Sequence, residues 1–544
     1  MQFLKLSSES AGRQPEEADA ESVRTVRHPF CPNRNVKTKG MHFKGYSLPQ
    51  KLFWQNTTTF TNGTFSSFAV RGKHGEFRVC DQLELVIQAR NGLNQTKSYG
   101  GDYFRAKMFT KNQTFAASSS TDGEVLDHGN GTYSAIFTLK WAGVVSIEVT
   151  LVHPSEAIYL LRQIQSDGLV DAQYLGGFRA KKSSKVESTL CDTALPRKYG
   201  PLCNFTDERS GFAWFCRKPQ NLSCKYWFGH RLRPASKVWN ETRFNDKHSK
   251  LPFLKANMRI SGDTDSILVV KSQQGASSVV YSSVLARLPS CHPTALGSQA
   301  EVAGFYSGEH WYSGTCKIRH FAKEEAMSCL QGKKVRLLGD STIRQLFEYY
   351  AKTFKLKTSI TKKLPSWYIG PMKMLENNHD INITFRFHGY PIARASQWEI
   401  TAYIDYVVNV LDSIRDDENV TVVVLSLGVH FTKHRPPIFE ARIQSIVGAI
   451  RRLHERSPQT IVLFKSANTR EHKLVEHYLM NSDWLARDLD WRLRRIISEE
   501  NNVGFVDAWD MTNAQFDKHA VHPLGPHVLN LSNQMLSYIC PEVK

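Results

Sequence analysis

Val335-Arg336-Leu337-Leu338-Gly339-Asp340-Ser341-Thr342-Ile343-Arg344-Gln345 passes from a short apolar run to an amphipathic one at a single serine. The residues before Gly339 read as a buried strand. Over 342–354, Ile343, Leu346, Phe347 and Tyr350 recur at helical spacing. Ser341 is therefore placed at a helix N-terminus, where free backbone N–H groups and the helix dipole favour negative charge. Such a position suits the oxyanion that forms when a hydroxyl attacks a carbonyl. Asp and Ser are also ordinary helix caps, so the tripeptide alone predicts a cap as readily as a nucleophile.

A serine hydroxyl needs a base to take its proton, and histidine is the usual one near neutral pH. His522-Pro523, after the strand-like Val503-Gly504-Phe505-Val506-Asp507-Ala508-Trp509, supplies the candidate. Between the two lie an apolar run at 421–427, an amphipathic stretch at 438–453, a strand-like 460–465, and helical patterns at 485–498 and 526–538. Strands alternating with helices predict a mostly parallel sheet covered on both faces, with site residues at the carboxyl ends of its strands. Ser341, Gly428 and His522 all follow strand-like segments.

Upstream, residues 76–180 read as a separate all-β unit. Leu83-Glu84-Leu85-Val86-Ile87, the turn Asn91-Gly92, Asn130-Gly131-Thr132-Tyr133 and the run 143–152 are short alternating segments divided by Gly and Asn turns. They predict a sandwich of immunoglobulin-like or filamin-like type. Residues 1–75 are expected to be disordered or weakly structured, and 181–290 to form a Cys-rich and connecting region.

Ten cysteines are present. Cys191, Cys203, Cys216 and Cys224 contain no Cys-x-x-Cys pair, so disulfides are a better reading than zinc. Cys31 with Cys80 is a further candidate pair, and Cys291, Cys316, Cys329 and Cys540 are candidates to staple the C-terminal unit in a connectivity the spacing leaves open. Eleven Asn-x-Ser/Thr triplets occur, eight of them ahead of the C-terminal unit at Asn56, Asn62, Asn94, Asn112, Asn130, Asn204, Asn221 and Asn240. Cysteines and triplets together predict a secreted or Golgi-lumenal glycoprotein. No apolar core of a signal peptide is visible near Met1 and no run approaches a membrane span.

Lys and Arg number 70 against 51 Asp and Glu, a formal charge of +19. No nucleic-acid-binding signature accompanies that charge, and a secretory compartment removes nucleic acid as a partner. Acidic glycans suit it better. The bland alternative is that Arg451-Arg452, 492–495 and 355–363 are solvated faces.

The C-terminal features form a recognisable set: Gly339-Asp340-Ser341-Thr342-Ile343-Arg344-Gln345, Ser426-Leu427-Gly428-Val429-His430-Phe431, Val506-Asp507-Ala508-Trp509-Asp510-Met511-Thr512, His522-Pro523 and Tyr538-Ile539-Cys540. With these, residues 291–544 resemble the PC-esterase domain of the neurexophilin and PC-esterase (NXPE) family, a branch of the SGNH or GDSL hydrolases. Trp311, Cys316, Cys329 and Leu330 resemble the lead-in shared with plant wall-polysaccharide O-acetyltransferases. Asn130-Gly131-Thr132-Tyr133, Trp141-Ala142-Gly143 and His153-Pro154-Ser155 resemble the family's neurexophilin-like half.

The resemblance implies a three-layer α/β/α domain and acyl-ester chemistry on glycans, sialic acid among the candidates: O-acetyl transfer, or O-deacetylation. It implies Ser341 as nucleophile, His522 as base, and Gly428, His430, Asp340 and Arg344 around the oxyanion and substrate. No metal or tightly bound cofactor is expected; an acyl donor such as acetyl-CoA would be a co-substrate. Two departures stand out. The superfamily's Asp-x-x-His appears as His519-Ala520-Val521-His522, leaving open whether Asp507, Asp510 or a backbone carbonyl orients the base. Its Gly-x-Asn-Asp appears as Gly428-Val429-His430. The rival expectation is a secreted binding protein whose sandwich engages a cell-surface receptor.

Overall fold

The computed structural model describes residues 24–28, 31–38, 56–72, 77–119, 125–168, 170–241, 250–264, 266–270, 288–293, 303–360, 369–392, 398, 404–415 and 421–541. The C-terminal unit is built on a seven-stranded sheet in the order Thr358–Ile360, Met372–Glu376, Ile381–Arg386, Lys334–Gly339, Thr421–Ser426, Ile461–Lys465, Val503–Val506. The last five strands are parallel. Every residue of Thr421–Ser426 is buried, as a strand covered on both faces requires.

Two separate cores explain that cover. On one face the helix Ser341–Thr353 and the helix Pro526–Ile539 bring Ile343, Phe347, Leu531 and Met535 onto Val335, Leu337, Val422 and Val424. On the other, helices Val407–Asp412, Pro436–Arg456 and Asp483–Ile497 bring Leu411, Ile446 and Leu489 onto Leu338, Val423, Leu425 and Phe464. Each such side chain contributes about 1.5–3 kcal/mol on burial.

The upstream β unit consists of two sheets. Five strands run in the order Ser261–Gly262, Ser67–Val70, Gln82–Gln88, Thr132–Thr138, Leu126–Asp127. The larger sheet is ordered His310–Tyr312, Phe305–Ser307, Phe115–Ser118, Tyr103–Phe109, Gly143–His153, Ser266–Val270, Phe77–Arg78, with Met258–Arg259 also on Gly143–His153. Alternation sets the shared core: Leu83, Leu85 and Ile87 from one sheet meet Phe104, Met108, Ile147 and Val149 from the other.

The residues that alternate with that core do not all face water. Arg105 Nη1 pairs with Asp483 Oδ2 at 2.7 Å, Lys107 donates to the Gln515 carbonyl at 3.3 Å, and Ser118 donates to Asp510. The outer face of the larger sheet is therefore the contact with the α/β unit. Period-two patterning cannot tell a solvated face from one that meets another unit through polar pairs.

Three segments sit differently from the sequence expectation. Ser67–Val70 pairs with Gln82–Gln88, and Arg24–His28 with Cys31–Thr38, so part of 1–75 is ordered into sheets; the remainder lies largely outside the described residues. Residues 258–270, read as connecting chain, supply strands to both sheets. Phe305–Ser307 and His310–Tyr312, read as part of the C-terminal unit, extend the larger β sheet through Phe115–Ser118. Short strands that pair far along the chain carry no local periodicity.

A third, antiparallel sheet is ordered Leu202–Asn204, Phe215–Arg217, Glu187–Asp192, Tyr174–Phe178, Trp227–Leu232. Its disulfides are Cys191–Cys216 and Cys203–Cys224. Cys31–Cys80, Cys291–Cys316 and Cys329–Cys540 complete the set, and no cysteine is free. Tyr174 and Phe178 of this sheet, and Trp214 just ahead of Phe215–Arg217, share a core with Tyr390 and Tyr406 of the α/β unit.

Candidate active site

Ser341 opens its helix at the carboxyl edge of Lys334–Gly339. Asp340 is the cap: its Oδ1 accepts from Thr342 N at 2.8 Å and Thr342 Oγ1 at 2.7 Å, an arrangement worth about 1 kcal/mol. Asp340 N donates to the Ser426 carbonyl at 3.0 Å. Leu338 lies opposite Arg386 and Gly339 opposite Ser426, so the segments after those two strands flank the serine on either side. One carries His388, the other Gly428 and His430.

His522 Nε2 lies 2.6 Å from Ser341 Oγ. Burial lowers the imidazole below its ordinary value of 6.5; Asp340 and Glu348 oppose that shift, and Arg344 and Arg470 add to it. The ring is thus held toward its neutral form, the form able to take a proton. Arg344 itself pairs with Glu348 at 3.0 Å, one turn along the same helix.

Neither aspartate proposed to orient His522 touches it. Asp507 Oδ1 caps the helix Ala508–Ala514 from Trp509 N and Asp510 N, and its Oδ2 accepts from Arg494 at 2.8 Å. Burial alone would raise its carboxyl, but Arg494 and Arg487 outweigh burial and hold it below the ordinary value. Asp510 points away, accepting from Ser118 and from Gly304 N; burial and the Asp507 charge push it up to about 7. Both corrections follow from the helix starting at Ala508, whose first turn is capped by Asp507 and whose third residue, Asp510, faces the β unit. His519, in the place of the missing aspartate, meets Thr469 Oγ1 at 2.7 Å.

The loop that carries His522 is held by its backbone carbonyls. Asn468 Nδ2 donates to the Val521 carbonyl at 3.0 Å and Gln345 Nε2 to the Pro523 carbonyl at 3.1 Å. Lys465 Nζ donates to Asn468 Oδ1 at 3.0 Å, which fixes the amide with its NH2 toward Val521. Lys465 is buried, and that burial lowers its ammonium to about 8 although Asp340 works the other way. Arg470 is buried beside it, lowered by burial to about 10 while Asp483 and Asp340 raise it. Asn468 and Arg470 follow the strand Ile461–Lys465, at its carboxyl end, so the rule that singled out Gly428 would have found them too.

His430 is buried, with Nδ1 3.1 Å from His388 Nε2. Burial lowers it to about 4, so the ring is neutral. His388 is legible by the same rule as Gly428: Ile381–Arg386 alternates apolar and polar residues as a strand does, and His388 follows its carboxyl end.

The basic runs are largely engaged. Arg451 pairs with Glu500, Arg452 with Asp412, Arg492 with Asp488 and Glu440, and Arg494 with Asp490 and Asp507. Of the eight upstream triplets, Asn56, Asn94, Asn112, Asn130, Asn204, Asn221 and Asn240 are exposed. Asn62 is only 8% exposed, and its Oδ1 accepts from Thr64 N at 3.0 Å. Asn530 is also buried, bonded to Trp311 N and to the Glu309 and Pro526 carbonyls. Among the described residues no cluster of ligands able to hold a metal is found, and no helix is long and apolar enough to cross a membrane.

Fold and site together define a disulfide-stapled, multidomain protein with mixed sheets, and its five disulfides fit a secreted or lumenal setting. Residues 311–540 match the family model described as NXPE family member 4-like, C-terminal domain, and residues 61–249 match the one described as Neurexophilin. The chain belongs to the NXPE family. Among solved structures, FdeC, an Escherichia coli adhesin, aligns over 39% of this chain and 65% of its own length, at 8% identity and a TM-score of 0.14, a likeness too slight to argue from.

Proposed function

We propose that this protein carries out serine-dependent acyl-ester chemistry in the secretory pathway, as an O-acetyltransferase acting on glycans. The observation that supports it most is the 2.6 Å contact of Ser341 Oγ with His522 Nε2 at a helix N-terminus on the carboxyl edge of a parallel sheet. His522 takes the hydroxyl proton as Ser341 attacks the donor carbonyl. Backbone N–H groups at the start of the helix and near Gly428 receive the oxyanion. When His388 donates to His430 Nδ1, the His430 proton sits on Nε2 and becomes a further donor. A sugar hydroxyl then takes the acyl group from Ser341; water in its place gives the esterase variant of the same chemistry. The +19 charge favours acidic acceptors such as sialylated or sulfated chains.

The test is mass spectrometry of the protein and of its Ser341→Ala variant after incubation with acetyl donors. An acetyl adduct on Ser341 that is discharged by a glycan acceptor supports transfer. No adduct, together with acetylated glycans left uncleaved, sinks the enzymatic reading. A second reading has one observation in its favour: among the described residues no carboxylate bonds to His522. In that reading the α/β unit is catalytically silent, and the β unit engages a cell-surface receptor.

A further inference from the structure

Helix Ser155–Asp167 of the β unit repeats apolar residues at helical spacing, and its Ile158, Leu161 and Ile164 enter one core with Trp484 and Leu485 of helix Asp483–Ile497. The flank of that helix, the start of Pro436–Arg456, and Trp484, Asp488 and Arg492 at four-residue spacing on Asp483–Ile497 enclose a cleft of about 470 Å³ between the two units. Clefts that take a small ligand run to roughly 300–1,000 Å³. Arg162, Arg435 and Arg492 line this one against a single carboxylate, Asp488, so its wall carries an excess of positive charge. Asp488 is already engaged, accepting from Arg492 Nε at 2.9 Å and from Gln165 Nε2 at 3.0 Å. Arg492 also pairs with Glu440 at 2.8 Å. Arg162 lies over the Trp484 ring at 5.8 Å, where burial works against its charge. Arg435 is exposed and forms no ion pair among the described residues.

We propose that this cleft binds an acidic sugar, its anionic group held by Arg162 and Arg435. The planar fork of a guanidinium matches the paired oxygens of such a group. The two arginines come from different units, so the site exists only where the β unit and the α/β unit meet. Gln165 and the exposed Ser166 put an amide and a hydroxyl on the same wall, which suits a ligand carrying hydroxyls as well as charge. Arg435 is five residues beyond His430, which puts their backbones no more than about 18 Å apart. The cleft nonetheless shares no residue with the candidate active site. The proposal goes beyond acyl transfer and does not rest on it, since a sugar held here needs neither Ser341 nor His522.

Binding is measured by calorimetry on the full disulfide-bonded chain carrying Ser341→Ala, so that turnover plays no part, with sialyllactose, a sulfated heparin oligosaccharide and neutral lactose as probes. An acidic probe is expected to bind and lactose not to; the tighter of the two acids decides between carboxylate and sulfate. Arg435→Gln, at an exposed position, is expected to weaken binding by about 10-fold with the melting temperature unchanged, the scale of one charge-assisted hydrogen bond. Arg162→Gln should act in the same direction. Arg451→Gln with Arg452→Gln, which removes two cations outside the cleft, should leave binding as it was. No binding of either acid, equal binding of lactose, or full affinity in Arg435→Gln overturns the site. A loss in the Arg451 and Arg452 variant as large as in Arg435→Gln would trace binding to the charge of the whole surface and overturns it too. None of these outcomes bears on acylation of Ser341, which the adduct measurement decides separately.

Discussion

Asn468 donates from Nδ2 to the carbonyl oxygen of Val521 at 3.0 Å, one residue ahead of the candidate base. Gln345 grips the Pro523 carbonyl on the other side, so the loop carrying His522 is fixed by its main chain and not by a carboxylate on its ring. Both donors come from elements that also carry the site, the carboxyl end of a parallel strand and the serine helix.

Asn468→Ala is expected to slow acylation of Ser341 by about 10-fold, equivalent to about 1.4 kcal/mol, with KM for the donor unchanged. Gln345→Ala should act in the same direction, and the double variant should lose more than either. Single-turnover adduct rates measure this; wild-type rates in Asn468→Ala would show that the loop holds its geometry without the clamp.

In the proposed acyl transfer His522 must be neutral to accept the serine proton. Because its pKa lies below 6.5, acylation is expected to rise with pH through a value under 6.5 and to be level by pH 7. Arg344→Gln removes a cation that lowers the imidazole, so the acid limb should move up; Glu348→Gln should move it down. A pH–rate profile of the three proteins decides, and coincident profiles would separate these charges from the base.

Asp510 joins the two large units, and its carboxyl is raised to about 7 by burial and by Asp507. The folded chain therefore holds this proton more tightly than the unfolded one. Its contribution to stability is complete below the ordinary value of 3.8 and is lost as pH rises through 7. Asp510→Asn should flatten thermal unfolding between pH 5 and pH 8, an effect on the order of 1–3 kcal/mol. An unchanged pH slope would mean that the pair with Ser118 does not govern the junction.

Glycopeptide mapping of protein made in a secretory pathway should find glycans among Asn56, Asn94, Asn112, Asn130, Asn204, Asn221 and Asn240, with Asn62 and Asn530 bare. In Asn56, Asn130 and Asn204 the hydroxyl two residues on already donates to the asparagine Oδ1 at 2.5–2.6 Å, so the triplet is presented as a turn. Full occupancy at Asn62 would require the chain around Ser66 and Arg90 to open.

The parallel sheet and the serine helix were legible because their cues are local: the apolar run Val422-Val423-Val424-Leu425 within the strand at 421–426, Asp340 as a cap, and period 3.6 after it. Ser341 and His522 stood out because serine and histidine carry their chemistry in their residue type. Asn468 and Gln345 did not, since an amide becomes informative only when the carbonyl it reaches is known. The misassigned aspartates show the same limit. Asp507 and Asp510 had the right chemistry and the right strand, but three-dimensional direction sent one to a helix cap and Arg494 and the other to Ser118. Residues 258–270 and 305–312 were illegible for a different reason, because strands of two to five residues are defined by their partners and not by their own pattern.

The edge hairpin at 305–312 also has a bearing on biosynthesis. The β unit begins near residue 67, yet its larger sheet lacks its last two strands until Tyr312 has left the ribosome, by which time the chain is close to starting Lys334–Gly339. Until then Phe115–Ser118 offers an unpaired edge, open to chaperones and to other nascent chains. Any version of this protein ended before that hairpin would carry the exposed edge permanently, so the upstream half is not a free-standing module to be cut out at the start of the α/β unit.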